Sequence, residues 1–274
     1  MKTQTEKGTI FRALHEQAHA FVIPNTWDAG TARLLAHLGF KALATTSAGH
    51  AFSLGQQDNT IGREETMAHC ADIVAATDLP VSADLGNGFG DAPEIVAATI
   101  RLAAAAGLVG CSIEDATYRA DDPIYPIEFA IERIQAAAAA VRKLNFPFML
   151  TARAENYLVG LHDLDDTIKR LQAYQEAGAD VLYAPSLTSK EEIATVINSV
   201  DRPVNVLLGA SGANTVAELS TLRAKRISTG SALSRAALGA FIRAAEEIAQ
   251  HGTFTFTKEA VSFRDISTMF DEHH

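Results

Sequence analysis

Eight short apolar runs, rich in β-branched residues and closing on small or polar side chains, alternate along this chain with stretches of helical apolar spacing. The runs occupy 21–24, 42–46, 80–84, 109–114, 148–153, 181–185, 204–207 and 226–229. The stretches between and after them include 29–38, 63–76, 93–106, 127–143, 164–177, 190–198 and 215–222. Continuous apolar runs of this length suit parallel strands buried on both faces. Several helical stretches close on the glycine expected at a helix end, as at Leu38-Gly39, Ala106-Gly107 and Ala177-Gly178. A strand–helix unit repeated eight times predicts an α/β fold of the (β/α)₈ barrel (TIM barrel) type.

The competing architecture is an open doubly wound sheet, which usually carries a glycine-rich phosphate loop after its first strand. Here that place reads Pro24-Asn25-Thr26-Trp27-Asp28. The Gly86, Gly88 and Gly90 cluster follows the third run instead, where it is a weak dinucleotide signal. No Pro/Ser-rich linker divides the 274 residues, so one barrel domain over 1–274 is expected. A long helix should cover 232–250, and 251–274 should form a C-terminal helical extension carrying Phe254, Phe256, Phe263 and Phe270.

A net charge of −10 argues against a nucleic-acid partner, which calls for clustered Lys and Arg. Cys70 and Cys111 make no disulfide framework, the amino end is polar, and no segment is long and apolar enough to span a membrane. A cytoplasmic protein with no membrane partner is the expectation.

In a barrel of this kind, active sites lie at the C-terminal ends of the strands and in the loops beyond them. Those positions hold Asn25, Trp27 and Asp28, then Ser47, Gly49 and His50, then Asp84 and Asn87. Later strands supply Glu114 and Asp115, Arg153 and Glu155, Tyr183, Asn205, and finally Ser228, Thr229 and Ser231. A carboxylate ending an apolar strand is costly to bury unless it binds a cation or is well paired. Asp84 and Glu114 end adjacent strands, with Asp58 in a neighbouring loop, and this grouping points to a shared cation.

Oxygen donors with few imidazoles suit Mg²⁺, or Mn²⁺, rather than zinc. Only His50 and His162 fall in expected top-face loops, too few for a three-histidine zinc site. No lysine falls near the expected barrel mouth, which sets aside Schiff-base chemistry. Arg153, ending the fifth run, could clamp a carboxylate or phosphonate bidentately, or pair with Glu155 or Glu114.

Ordered motifs on five successive strands carry a family likeness. They are Asn25-Thr26-Trp27-Asp28-Ala29, Thr45-Thr46-Ser47-Ala48-Gly49 followed by Asp58, Ala83-Asp84 with Gly88-Phe89-Gly90, Ser112-Ile113-Glu114-Asp115, and Thr151-Ala152-Arg153-Ala154-Glu155. Over about residues 20–245 the chain resembles the isocitrate lyase/phosphoenolpyruvate mutase superfamily. The resemblance implies a Mg²⁺-dependent barrel that forms or consumes the enolate of a 2-oxo acid. It makes Asp84 the principal metal carboxylate, aided by Asp58 and Glu114. It assigns the substrate carboxylate to Ser47 and the neighbouring Ala48 and Gly49 backbone, with Trp27, Arg153 and Asn205 completing the pocket. It also implies a homo-oligomer, dimer or tetramer, in which the 232–250 helix is exchanged between subunits.

The chain departs from that family in two places. The loop 115–126 lacks the Lys-Lys/Arg-Cys-Gly-His motif of the isocitrate and methylisocitrate lyases, and equally the Lys-x-Asn-Ser element of the mutase. Gly86 stands where the third strand usually offers a second acid. A true isocitrate lyase is therefore not expected. The leading expectation is a Mg²⁺-dependent carbon–carbon lyase or decarboxylase acting on a small 2-oxo or 2-hydroxy di- or tricarboxylic acid. Arg153, Glu114 and Tyr118 are its candidate catalytic residues, with Tyr125, His50 or metal-bound water as other proton sources. The alternatives are phosphonopyruvate hydrolase or mutase chemistry, and a barrel that binds a 2-oxo acid without turnover.

Overall fold

A computed structural model describes residues 1–187, 189–208 and 215–271. Nine strands follow one another as β1 (Phe21–Ile23), β2 (Asn25–Thr26), β3 (Leu43–Thr45), β4 (Val81–Asp84), β5 (Gly110–Glu114), β6 (Met149–Arg153), β7 (Val181–Tyr183), β8 (Val204–Leu207) and β9 (Arg226–Ser228). Every pairing between them is parallel, in the order β1-β9-β8-β7-β6-β5-β4-β3-β2. The first and last members of that order are consecutive in sequence, split only at Pro24. Proline has no N–H to give a ladder, so the first barrel strand breaks there. Its lower half, β1, pairs with β9, and its upper half, β2, pairs with β3. The expected eight-stranded barrel is present, closed through this split strand.

The helices are α1 (Gln4–Glu16), α2 (Ala29–His37), α3 (Ser47–Ser53), α4 (Arg63–Ala75), α5 (Pro93–Ala105), α6 (Ile127–Val141), α7 (Leu164–Ala177), α8 (Lys190–Asn198), α9 (Val216–Thr221), α10 (Ala232–His251) and α11 (Phe263–Asp271). Eight of them, α2 and α4 to α10, stand at the helical stretches read from the sequence. Their ends follow local rules. Asp28 caps α2 by accepting the Thr31 N–H at 2.6 Å, and Ser189 with Glu192 forms a capping box on α8. Gly178 closes α7 at a φ of 109°, a conformation that favours glycine.

Two helices were not anticipated. α3 occupies what the sequence read as a loop, so Ser47, Ala48, Gly49 and His50 are helical. α1 precedes the first strand and seals the barrel floor. Its Phe11 and Leu14 pack with Phe21, Ile23, Ala42, Val109, Met149 and Val181 from the strand beginnings. Gly110 leaves room for this plug, since a Cβ there would meet Phe11 Cε1 at 2.8 Å and the Met149 carbonyl at 2.9 Å. A larger apolar cluster lies between strands and helices, with Ile73, Ile100, Leu150 and Leu171 fully buried.

The C-terminal extension follows α10 as a short 3₁₀ turn (Thr255–Lys258) and α11, and residues 272–274 lie outside the described residues. α11 returns to α2, where Arg33 donates to the Phe270 carbonyl and lies over its ring at 5.3 Å. Among the described residues, no helix is long and apolar enough to cross a membrane.

His15 sits in the floor between the edges of Phe11 and Phe21, with Nδ1 at 2.8 Å from the Phe11 carbonyl. Burial, reinforced by the Arg226 guanidinium, pushes its pKa down to about 3. The unfolded chain takes up this proton below a pH of about 6.5. Stability that depends on a neutral His15 is thus whole above that pH and is lost as the pH falls toward 3. The slope is at most about 1.4 kcal/mol per pH unit. Urea unfolding at about pH 7 and about pH 5 should show the loss, and His15→Gln should shrink it.

Candidate active site

Three consecutive strands end in charged side chains: Asp84 on β4, Glu114 on β5 and Arg153 on β6. Parallel register sets Asp84 beside Ser112 and Glu114 beside Arg153. Arg153 lies at the centre of the group. Its Nη1 is 3.0 Å from both Asp84 Oδ1 and Glu114 Oε2, and its Nε is 2.7 Å from Glu155 Oε1. The guanidinium rests 5.1 Å from the centre of the Tyr183 ring.

Burial works against the charge of Arg153, but Glu114, Glu155 and Asp84 outweigh it and hold its pKa well above the usual value. One cation does not balance three acids. Burial raises the Glu114 pKa, opposed by Arg153 and reinforced by Asp84. It pushes Glu155 up to about 8, and Glu155 Oε2 is buried with no hydrogen-bond partner.

A cavity of about 390 Å³ opens above this group. Ser47, Ala48, Asp58, Asp84, Glu114, Tyr118, Arg153 and Asn205 all line it. The Ser47 hydroxyl bonds Asp84 Oδ2 at 3.1 Å. Burial raises the Asp58 pKa, the Ser47 hydroxyl opposes this, and the charge of Asp84 adds to it. Asn205 is engaged on both ends of its amide, donating to Ser228 Oγ and accepting from Arg226 Nε at 2.9 Å each.

Trp27 and Gly49 stand beside the cavity rather than in it. A Cβ at Gly49 would meet Thr46 Cγ2 at 2.6 Å and Trp27 Cβ at 3.0 Å. The glycine thus lets these side chains close on α3, and its N–H is spent on the Thr46 cap at 3.2 Å. Tyr125 is also drawn away, its hydroxyl 2.5 Å from Asp91 Oδ1. His50 stacks on His69, with ring centres 3.5 Å apart, and does not line this cavity. His162 stacks on Tyr157 instead.

Tyr118 and Ala116 of the β5 loop line the site, and Tyr118 brings the polar group. Its hydroxyl donates to Glu114 Oε1 at 2.8 Å and accepts the Asn87 N–H at 3.0 Å. Burial first, and then the charge of Glu114, raise its pKa. This placement depends on Gly86. A Cβ at 86 would collide with the Tyr118 hydroxyl, and Gly86 itself adopts a φ of 53°.

Sequence reasoning gave no role to Arg226, which opens β9 and lines the cavity floor. Its guanidinium bonds Asn205 and Thr151 Oγ1 and approaches His15 Nε2 at 3.5 Å, with no carboxylate among its hydrogen-bond partners in the described residues. Burial lowers its pKa to about 10. A charged residue inside an otherwise apolar strand was the available signal, but its position at the strand's beginning pointed to the opposite barrel face.

Among the described residues, no three His, Cys, Asp or Glu side chains converge into a ready-made metal nest. The donor set nonetheless fits a hard divalent cation. It is all oxygen, it carries more negative than positive charge, and one buried acid oxygen lacks a partner. Such a cation would take Asp84, the most exposed of the three acids on Arg153, with water in most other positions, as Mg²⁺ commonly does.

A barrel closing on this acid–arginine cluster defines a class, and comparison with known proteins identifies the family. The phosphoenolpyruvate phosphomutase family model matches residues 11–249, and the chain belongs to that family, within the isocitrate lyase/phosphoenolpyruvate mutase superfamily. A crystal structure from Burkholderia cenocepacia J2315, provisionally described as a lyase/mutase, is 62% identical. It covers 97% of this chain and 96% of its own, with a TM-score of 0.95. The 2-methylisocitrate lyase of Escherichia coli (strain K12) is 28% identical over 270 residues, covering 96% of this chain and 88% of its own. Oxaloacetate acetylhydrolase, solved with its product oxalate, is 26% identical with a TM-score of 0.87, covering 99% and 96% of the two chains. The chain is an enzyme of the carbon–carbon lyase type found in this superfamily.

Gly86→Ala should force Tyr118 out of its place and lower stability by about 1–3 kcal/mol in thermal unfolding. Gly62→Ala is the control: a Cβ at Gly62 meets nothing within 4 Å, and its φ of −74° suits any residue. That change should leave Tyr118 in place and cost at most about 1 kcal/mol, the difference between glycine and alanine at the α4 N-cap.

Proposed function

We propose that the Arg153 cavity is a Mg²⁺-assisted carbon–carbon lyase or decarboxylase site for a small 2-oxo or 2-hydroxy carboxylic acid. The observation that carries this reading is the buried surplus of acid around one fixed guanidinium, at a place where three strand ends meet. Mn²⁺ could serve in place of Mg²⁺. Asp84 would hold the ion, with Asp58 and Glu114 acting directly or through water. The ion would supply positive charge to an enolate oxygen as the bond beside the carbonyl breaks.

The chain's own groups have separable tasks. Arg153 spends Nε and Nη1 on carboxylates, and its Nη2 N–H groups are left to bind and orient a substrate carboxylate. Ser47 and the adjoining Ala48 line the cavity beside Asp84, to which the Ser47 hydroxyl is bonded, and Asn205 lines its floor. Tyr118 holds a proton at its hydroxyl on the cavity edge, oriented by Glu114 at 2.8 Å; after it passes to the substrate, water reaching the half-exposed Tyr118 returns a proton to the phenolate. This gives the site an acid in place of the cysteine motif its lyase relatives are expected to carry. Phosphonate chemistry finds less support. Arg119, the one basic residue of the β5 loop, is paired with Asp91 at 3.0 Å and Asp122 at 3.3 Å and does not line the cavity.

The working unit in this reading is one barrel domain spanning 1–274, acting in the cytoplasm as a homo-oligomer of two or four chains. Support for assembly comes from α10, on which only Ser234 is buried. Its Phe241 is 69% exposed, with Ile242, Leu238 and Ile248 also open to solvent. A bare apolar helix face of this kind is uncommon on a monomer. Light scattering should show a dimer or tetramer, and Phe241→Glu should shift it toward monomer.

Calorimetric titration with oxalate, a planar mimic of a pyruvate enolate, tests the site. Oxalate should bind with Mg²⁺, lose at least about tenfold in affinity when EDTA removes the metal, and lose as much in Asp84→Asn. Absence of oxalate binding in the presence of Mg²⁺ would remove the proposal.

A further inference from the structure

A second chamber of about 280 Å³ adjoins the Arg153 cavity, and the two share Ser47, Asp84, Gly86 and Tyr118 as a common wall. They differ in charge. Arg153 and Arg226 both line the first. Among the described residues, no lysine or arginine lines the second, whose single carboxylate is Asp84 on the shared wall.

The far side of the second chamber is built from Ile61, Leu85 and Phe89 and from the His50–His69 stack. The two rings lie 12° from parallel. Burial lowers the pKa of both imidazoles, that of His69 to about 4, so the stack is neutral at physiological pH. Their Nε2 atoms are buried and make no hydrogen bond. The rest of the lining adds only neutral polar groups, Asn59, Thr66 and Asn87 among them, so no positive charge on this side would compensate a charged ligand group.

We propose that this chamber receives an uncharged alkyl arm of the substrate. The preferred acid then places its carboxylate and reacting 2-oxo or 2-hydroxy centre beside Arg153 and an apolar branch against Ile61, Leu85 and Phe89. A carboxylate turned into the chamber would lose its water and find no lysine or arginine, while the ion held by Asp84 is engaged by the 2-oxo acid unit in the first cavity. An alkyl arm instead gains from burial, by about fourfold in affinity per methylene. A tricarboxylate is disfavoured, because one of its acid groups would have to occupy the chamber or crowd the already acidic cluster. The inference rests on the reading of the Arg153 cavity as the seat of the 2-oxo acid unit.

Calorimetric titration of the full chain with Mg²⁺ separates the two claims. The probes are oxalate, the linear series 2-oxobutanoate, 2-oxopentanoate and 2-oxohexanoate, and 2-oxoglutarate as the charged counterpart. Affinity should rise by about fourfold with each methylene of the linear series. 2-Oxoglutarate should bind at least about tenfold more weakly than 2-oxohexanoate. Ile61→Trp, which fills the chamber, should flatten the series while leaving oxalate binding within about twofold. Ile61→Ala, which enlarges the chamber with little risk to folding, should move the preference toward the longest arm. If oxalate binds while the series is flat, or 2-oxoglutarate matches 2-oxohexanoate, the chamber proposal is overturned and the Arg153 reading stands. If neither oxalate nor any acid binds, the Arg153 reading fails and the chamber proposal fails with it.

Discussion

The guanidinium of Arg153, held by Asp84, Glu114 and Glu155, is the interaction around which the barrel mouth is arranged. Three of these four residues end consecutive strands, so their meeting depends on parallel register across β4, β5 and β6. A slip of one residue in any of those strands would turn its terminal side chain to the other face of the sheet. The cluster is also under-neutralised, which shows in the raised pKa of Glu114 and Glu155 and in the unpartnered Glu155 oxygen. Breaking a buried charge cluster is strongly destabilising, yet forming one contributes little net stability. The arrangement is therefore better explained by what it can bind than by what it adds to folding.

A barrel that keeps charge and open volume at its mouth must secure its core elsewhere. Here α1 supplies Phe11 and Leu14 as a plug at the opposite end, filling space that layers of interior strand residues usually occupy. With the floor sealed by a helix, the middle of the barrel can carry small polar residues such as Ser82, Ser112 and Thr151. Arg226 shares that layer, held by neutral partners instead of an acid. Its burial and that of His15 are linked, since each lies against the other and Arg226 disfavours a second positive charge there.

The strands were legible because runs buried on both faces carry an unbroken apolar signal, and the strand-end rule then located Asp84, Glu114 and Arg153 on one rim, whereas Asn205, expected there too, lies lower in β8 beside Arg226. Other features lacked a local signature. α1 has few apolar residues, and its buried positions include Lys7, Gly8 and His15, so the amino end read as merely polar. α3 has seven residues with a glycine in its first turn, a composition equally suited to a loop. Gly49 and Trp27 fall within a family-like motif, but their chemistry is packing: the missing side chain admits the tryptophan and threonine beside it. The grouping of His50 with His69 joins two helices and cannot be read from either alone.

Gly86 and Tyr118 show why the departures from the family pattern belong together. Read alone, Gly86 is the loss of an acid the third strand usually offers, and a weakening of the site. In the fold, the space beside Gly86 is filled by the Tyr118 hydroxyl, and no side chain could be added there without displacing it. Tyr118 reaches that place from a backbone with a φ of 62°, uncommon for a residue with a side chain, so its position is held by contacts rather than by local preference. The exchange removes one negative charge from an acid-rich cluster and adds a proton donor 2.8 Å from Glu114. An acid at 86 and a tyrosine hydroxyl in this position exclude one another sterically. Loss of the acid is thus the condition for bringing a donor into the site, in a loop that has no cysteine, lysine or histidine to serve as one.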